Sequence, residues 1–186
     1  MMRMIFVPLV LLATTQSAGF SGKWTRNDEL SQNPFQKVEL AFGSGQASGA
    51  GGREFDVFSW SGLLKDADRA TLRRLLLDYA AVVQRLEVGL DGEEMTVSVG
   101  NDNYFSLFYL DGKPHARQLD GGLRLEATAR RDGNDVHVEQ KGEGGAVIRE
   151  VYSLMEEGKR LAVVFEITHK AIETPFVLRT VYDRAP

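Results

Sequence analysis

The stretch DGGLRLEATARRDGNDVHVEQ, residues 120–140, decides how the chain is read. Leu123, Leu125, Ala127 and Ala129 alternate with Arg124, Glu126, Thr128 and Arg130, and beyond Asp132-Gly133 two valines, Val136 and Val138, flank His137. A period of two sends one set of side chains to a dry face and the other to water, the pattern of a half-buried strand. Asp-Gly between two such runs supplies the positive φ of a type I′ turn, so the stretch predicts a hairpin.

The same arrangement repeats outward from it. Asp91-Gly92, Asp111-Gly112 and Asp120-Gly121 also punctuate short runs. Leu86, Val88 and Leu90 alternate on one side of the first, and Met95, Val97 and Val99 on the other. Strands are expected at 85–90, 95–99, 104–110, 115–119, 123–130, 136–140, 146–154, 161–169 and 176–183, after a first strand within Phe20 to Asn27. The remaining connections are Asn101-Asp102-Asn103, Lys141 to Gly145, Glu156-Glu157-Gly158 and a longer one with Pro175, which marks the final strand as an edge or closing strand. A long meander must close or cover its edges. The expected fold is mainly β: an antiparallel up-and-down barrel of about 8–10 strands with one long and one short α-helix.

The short helix is predicted at 34–42. Asn33 suits the N-cap and Pro34 the first turn, with Phe35, Val38 and Phe42 on one side; a strand with Val38, Leu40 and Phe42 inward is the alternative. Residues 43–52, GSGQASGAGG, read as a flexible linker, since neither phosphate-loop pattern fits. Phe55, Val57 and Trp60 form an apolar patch. The long helix is predicted at 66–84, capped by Asp66, with Leu72, Leu76, Tyr79, Ala80 and Val83 on one face and Arg69, Arg73, Arg74 and Asp78 opposite.

Arg3, the apolar run from Ile5 to Ala13 and the small residues after it have the layout of a signal peptide, residues 1–19. Residues 20–186 then form a single domain, periplasmic or secreted, and no other segment is long enough to span a bilayer as a helix. A formal charge of −4 argues against nucleic acid as a partner. Cysteine is absent, so disulfides and thiol chemistry are excluded.

His115, His137 and His169 fall on separate strands without metal-ligand spacing, and no G-x-S-x-G nucleophile elbow occurs. The residues point to no metal, no cofactor and no catalysis. The strand at 146–154 is unusual: Arg149 and Glu150 lie on opposite faces, so a regular strand directs one of them inward. A buried charge is costly unless it is paired or meets a polar ligand.

Gly22-Lys23-Trp24 resembles the G-x-W motif of the lipocalin first strand, and LRTVYDR (178–184) is similar to the closing strand of fatty-acid-binding proteins. More of the chain resembles uncharacterised secreted bacterial proteins with lipocalin-like barrels. The shared signs are a Ser-x-x-Pro helix, a Gly-rich stretch, a second helix, Asp111-Gly112-Lys113 and a terminal Val-Tyr-Asp. The resemblance implies a calycin barrel and no established activity. One departure concerns the ligand: fatty-acid-binding proteins carry an Arg two residues before the closing Tyr, where Thr180 stands before Tyr182.

Two functions follow. One is an exported, non-enzymatic barrel that binds a small hydrophobic or amphipathic ligand. Trp24, Phe105, Tyr109, Phe165 and Tyr182 would line its cavity, and Arg149 or Glu150 would meet the head group. The other is an interaction, inhibitor or accessory protein of the cell envelope with a packed core.

Overall fold

A computed structural model describes residues 19–42, 68–100, 104–118, 124–142 and 145–186. Among them, ten strands follow one another in antiparallel order: β1 Gly22–Arg26, β2 Arg85–Asp91, β3 Glu94–Val99, β4 Tyr104–Tyr109, β5 Asp111–Gln118, β6 Arg124–Asp132, β7 Asp135–Gly142, β8 Val147–Met155, β9 Arg160–Thr168 and β10 Phe176–Arg184. The sheet order is β4-β3-β2-β1-β10-β9-β8-β7-β6-β5. Consecutive strands pair except β4 and β5, and β10 returns to β1. This is a nearly closed meander barrel whose seam lies between β4 and β5. The final strand is therefore a closing strand, with Pro175 just ahead of its ladder.

Face parity agrees with the alternation in the sequence. Leu125, Ala127 and Ala129 are buried while Arg124 and Glu126 are exposed. Val136 and Val138 pack inward from β7, and Leu161, Val163, Phe165 and Ile167 from β9. These inward sets meet as one hydrophobic cluster in the barrel interior.

The turns depart from the expected geometry in two ways. Asp91 pairs with Glu94 and Asp132 with Asp135, so the loop residues are Gly92-Glu93 and Gly133-Asn134. Positive φ occurs at Gly92 (58°) and Gly133 (59°) but not at the following residue, the φ pattern of a type II′ turn rather than type I′. Asp111-Gly112 is not a hairpin turn. It opens β5 within a bulge, and the Asp111 carboxylate accepts from Lys113 N at 2.9 Å and bonds His115 Nε2 at 3.0 Å. Those bonds favour the charged form and hold the Asp111 carboxyl below its ordinary range.

Among the described residues between β1 and β2 are two helices, α1 (Pro34–Phe42) and α2 (Arg69–Val82). Asn33 caps α1 by accepting from Gln36 N at 3.1 Å. Val38 is buried there, but Phe35 is exposed, so the expected apolar face is narrower than drawn. Asp68, not Asp66, caps α2, accepting from Thr71 N at 2.7 Å. Leu72, Leu76, Tyr79, Ala80 and Val83 are all buried, as their spacing requires. Residues 1–18 of the signal segment, the Gly-rich stretch, the patch at Phe55, Val57 and Trp60, Asp66, Asn101–Asn103 and Asp120-Gly121 lie outside the described residues.

Gly22 has φ 148°, and a Cβ there would come within 2.6 Å of Arg184 Nη1. That guanidinium stands 4.2 Å from the Trp24 ring, and Trp24 Nε1 donates to Phe20 O at 3.1 Å. The G-x-W stretch thus joins the first and last strands at one end of the barrel. At the other end the segment 27–32 extends the pairing of β10: Asn27 N donates to Val181 O at 2.8 Å and Gln32 N to Arg179 O at 3.0 Å.

Candidate functional site

Among the described residues the buried core is mainly apolar, and a short chain of polar groups runs into it. On β8, Ile148, Glu150 and Tyr152 face inward. Glu150 stands between Val138 of β7 and Phe165 of β9 in the ladder, so its cross-strand neighbours offer no charge. It is only 7% exposed. Its carboxyl accepts from Gln140 Nε2 at 3.4 Å and is hydrogen-bonded by the Tyr152 side chain. Gln140 Oε1 in turn accepts from Arg117 Nη1 at 3.3 Å. Because Arg can only donate, this contact fixes which end of the Gln140 amide meets Glu150.

Burial pushes the Glu150 carboxyl up to about 7; the Tyr152 bond, the Arg117 charge and the Gln140 bond oppose this without cancelling it. The group therefore changes charge near neutrality, inside an apolar barrel. Tyr182 lies in the same interior, and its hydroxyl donates to Val83 O at 3.1 Å. Burial raises its phenol beyond the ordinary range.

Glu150, Tyr152 and Tyr182 border a void of about 10 Å³, space for roughly one water molecule. Tyr79 of α2 borders it too, as do Val97, Phe108 and Val163. Ser106 completes the wall. It is 1% exposed, and its Oγ has no hydrogen-bond partner among the described residues. Above the void the Tyr79 ring stacks on Phe165 with centroids 4.5 Å apart, so α2 closes the interior from the helix side. At the seam, Arg117 lies over the Phe108 ring at 5.2 Å and bridges β5 to β4.

No protein-family model matches the sequence, and no curated protein matches it. Solved structures do. Lipid-binding protein 8 of Caenorhabditis elegans aligns with a TM-score of 0.52 at 12% identity, over 89% of this chain and 95% of its own. Fatty-acid-binding protein 1 of Echinococcus granulosus aligns at 0.51 and 14% identity, over 90% and 98%. The zebrafish ileal bile acid-binding protein, in complex with cholic acid, aligns at 0.50 and 13% identity, over 89% and 98%. The chain shares with these proteins the fold of a nearly closed antiparallel meander barrel.

Within this barrel the residues expected to line a site divide sharply. Glu150 and Tyr182 border the void. Phe165 is buried behind Tyr79, and Trp24 is buried but belongs to the Gly22–Arg184 cluster instead. Phe105 and Tyr109 correct the expectation: they are 60% and 39% exposed. On β4 the inward parity belongs to Ser106 and Phe108, which pair with Val97 and Met95, so the larger aromatic set faces out. Arg149 is also outward, bonding Glu139 at 2.8 Å and Glu166 at 3.0 Å on the outer sheet face. Three interior residues were not anticipated. Gln140 shares parity with Val136 and Val138, a signal present in the sequence. Ser106 shares parity with Phe108. Arg117 lies opposite Leu125 in the ladder, which only the register reveals. Among the described residues no cluster of three or more His, Asp or Glu could hold a metal ion.

Proposed function

We propose that this protein is a non-enzymatic binder of a small apolar or amphipathic molecule, exported by its N-terminal segment. The observation that carries the reading is the polar centre at Glu150 and Ser106 beside an interior void. Buried polar groups are costly, and a few placed polar groups in an apolar surround are what ligand pockets use. The calycin fold adds support, since its solved neighbours are named for binding lipid, fatty acid and bile acid. Access to the interior requires Tyr79 and α2 to move, because their side chains fill the space above the void.

The test is titration with an environment-sensitive apolar dye. Wild type should bind saturably, and Tyr79→Ala should bind more tightly because it vacates interior volume. Arg149→Ala, on the outer face, should change neither. Absence of saturable binding by both wild type and Tyr79→Ala would sink the reading.

One observation favours the second reading, an envelope interaction or inhibitor protein with a packed core. The void of about 10 Å³ is far below the roughly 300 Å³ of a usual ligand pocket. On that reading native mass spectrometry of the exported protein would show a protein adduct and no small-molecule mass.

A further inference from the structure

We propose that the interior polar centre of Glu150 and Ser106 is a head-group site for a primary ammonium carried on an apolar chain. The assignment rests on the binding function proposed above and adds the chemistry of its ligand.

Size and polarity both point there. The void admits a group about the size of a water molecule, which an ammonium matches and a carboxylate, with two oxygens and a carbon, does not. Glu150 offers an acceptor at its wall, and the Ser106 Oγ, buried without a partner among the described residues, offers a second. An ammonium donates three hydrogen bonds and accepts none, so it satisfies both. A carboxylate placed there would face the Glu150 oxygens and could ionise only against them.

Arg117 is the cation that Glu150 senses, and it does not border the void. Its Nη1 is engaged by Gln140 Oε1, and its guanidinium lies over Phe108. Among the described residues, Gln140 of β7, Tyr152 of β8 and the phenols of Tyr79 and Tyr182 also surround Glu150 or the void, and Val138 and Phe165, opposite Glu150 in the ladders, are apolar. Behind Tyr182 stand Thr180 and the Arg26 guanidinium, neither of which borders the void and the latter bonded to Asp28. An apolar chain attached to the ammonium would run past Val97, Phe108 and Val163 toward Tyr79.

Ammonium binding favours ionised Glu150, so affinity should rise as pH passes upward through about 7. The experiment compares dodecylammonium, dodecanol and dodecanoate by calorimetric titration of the purified chain. At about pH 8, where a primary amine is still protonated, dodecylammonium should bind about tenfold tighter than dodecanol, with dodecanoate weakest. Its affinity should fall on acidification to about pH 6. Glu150→Gln should abolish both the preference and the pH dependence. Arg117→Gln should preserve the preference. Tightest binding of dodecanoate, or a preference for the amine that survives in Glu150→Gln, overturns the assignment but leaves the binding function standing. If none of the three binds saturably, the binding function itself falls and the head-group site with it.

Discussion

Arg149 and Glu150 are neighbours in sequence, and the alternation of β8 sends them into opposite environments. Arg149 finds two carboxylates on the outer face, and Glu139, bonded first by Lys141 and then by Arg149, is held below its ordinary range in return. Glu150 goes inward and instead gives up its charge. The sign of the consequence follows from linkage. Its folded pKa of about 7 lies above the ordinary 4.5, so between those values the folded chain holds a proton that the unfolded chain has lost. Stability from this group is complete below about pH 4.5 and declines as pH rises through about 7, by roughly 3 kcal/mol in total. Urea denaturation of wild type and Glu150→Gln at the two ends of this window measures it: wild type should lose stability relative to the variant as pH rises. A constant difference would mean that burial does not raise the Glu150 carboxyl, so that it titrates alike in the folded and unfolded chain. Ser106 makes a second test at this scale. A buried hydroxyl without a partner costs about 1–3 kcal/mol of desolvation, so Ser106→Ala should leave stability unchanged or raise it by up to that amount, read from the same denaturation curves.

At the scale of elements, α2 is the plug. Its buried face was legible as a spacing of Leu72, Leu76, Tyr79 and Val83, because a helix packed on a core must repeat every three or four residues. Leu76 is 1% exposed. Leu76→Ala should therefore cost about 2–5 kcal/mol, and a change within about 0.5 kcal/mol would place the helix at the periphery; thermal or chemical denaturation decides. The strands were legible for the same reason, since a one-residue slip would turn every side chain of β6 or β9 to the wrong face. What alternation could not choose was the inward face where both faces carry apolar bulk. In β4, Phe105, Leu107 and Tyr109 outweigh Ser106 and Phe108 in the sequence, yet register with Met95 and Val97 sets the parity. The polar centre was half legible. Glu150 was in view as one of two alternatives and the inward parity of Gln140 was there to be read beside Val136 and Val138, while Arg117 became a member only when β5 and β6 were brought side by side.

At the scale of the molecule, the barrel is closed at its base by its own beginning. Phe20 is fully buried in the core, with the Arg131 guanidinium of β6 5.7 Å from its ring and its carbonyl held by Trp24. The chain therefore needs Phe20 to complete the interior, and the expected removal of a signal peptide must leave it in place. Cleavage close after residues 17–19 does so, and the reading of the apolar run and the small residues after it predicts a mature start between about residues 18 and 20. Phe20→Ala should cost about 3–5 kcal/mol, and a chain beginning at Ser21 should lose at least as much, both measured by denaturation. N-terminal sequencing of protein recovered from the cell envelope completes the argument. A first residue at or just before Phe20 is the expected outcome. An intact Met1 on envelope protein would overturn export, and a start beyond Phe20 on a chain of undiminished stability would overturn its role as the base of the barrel.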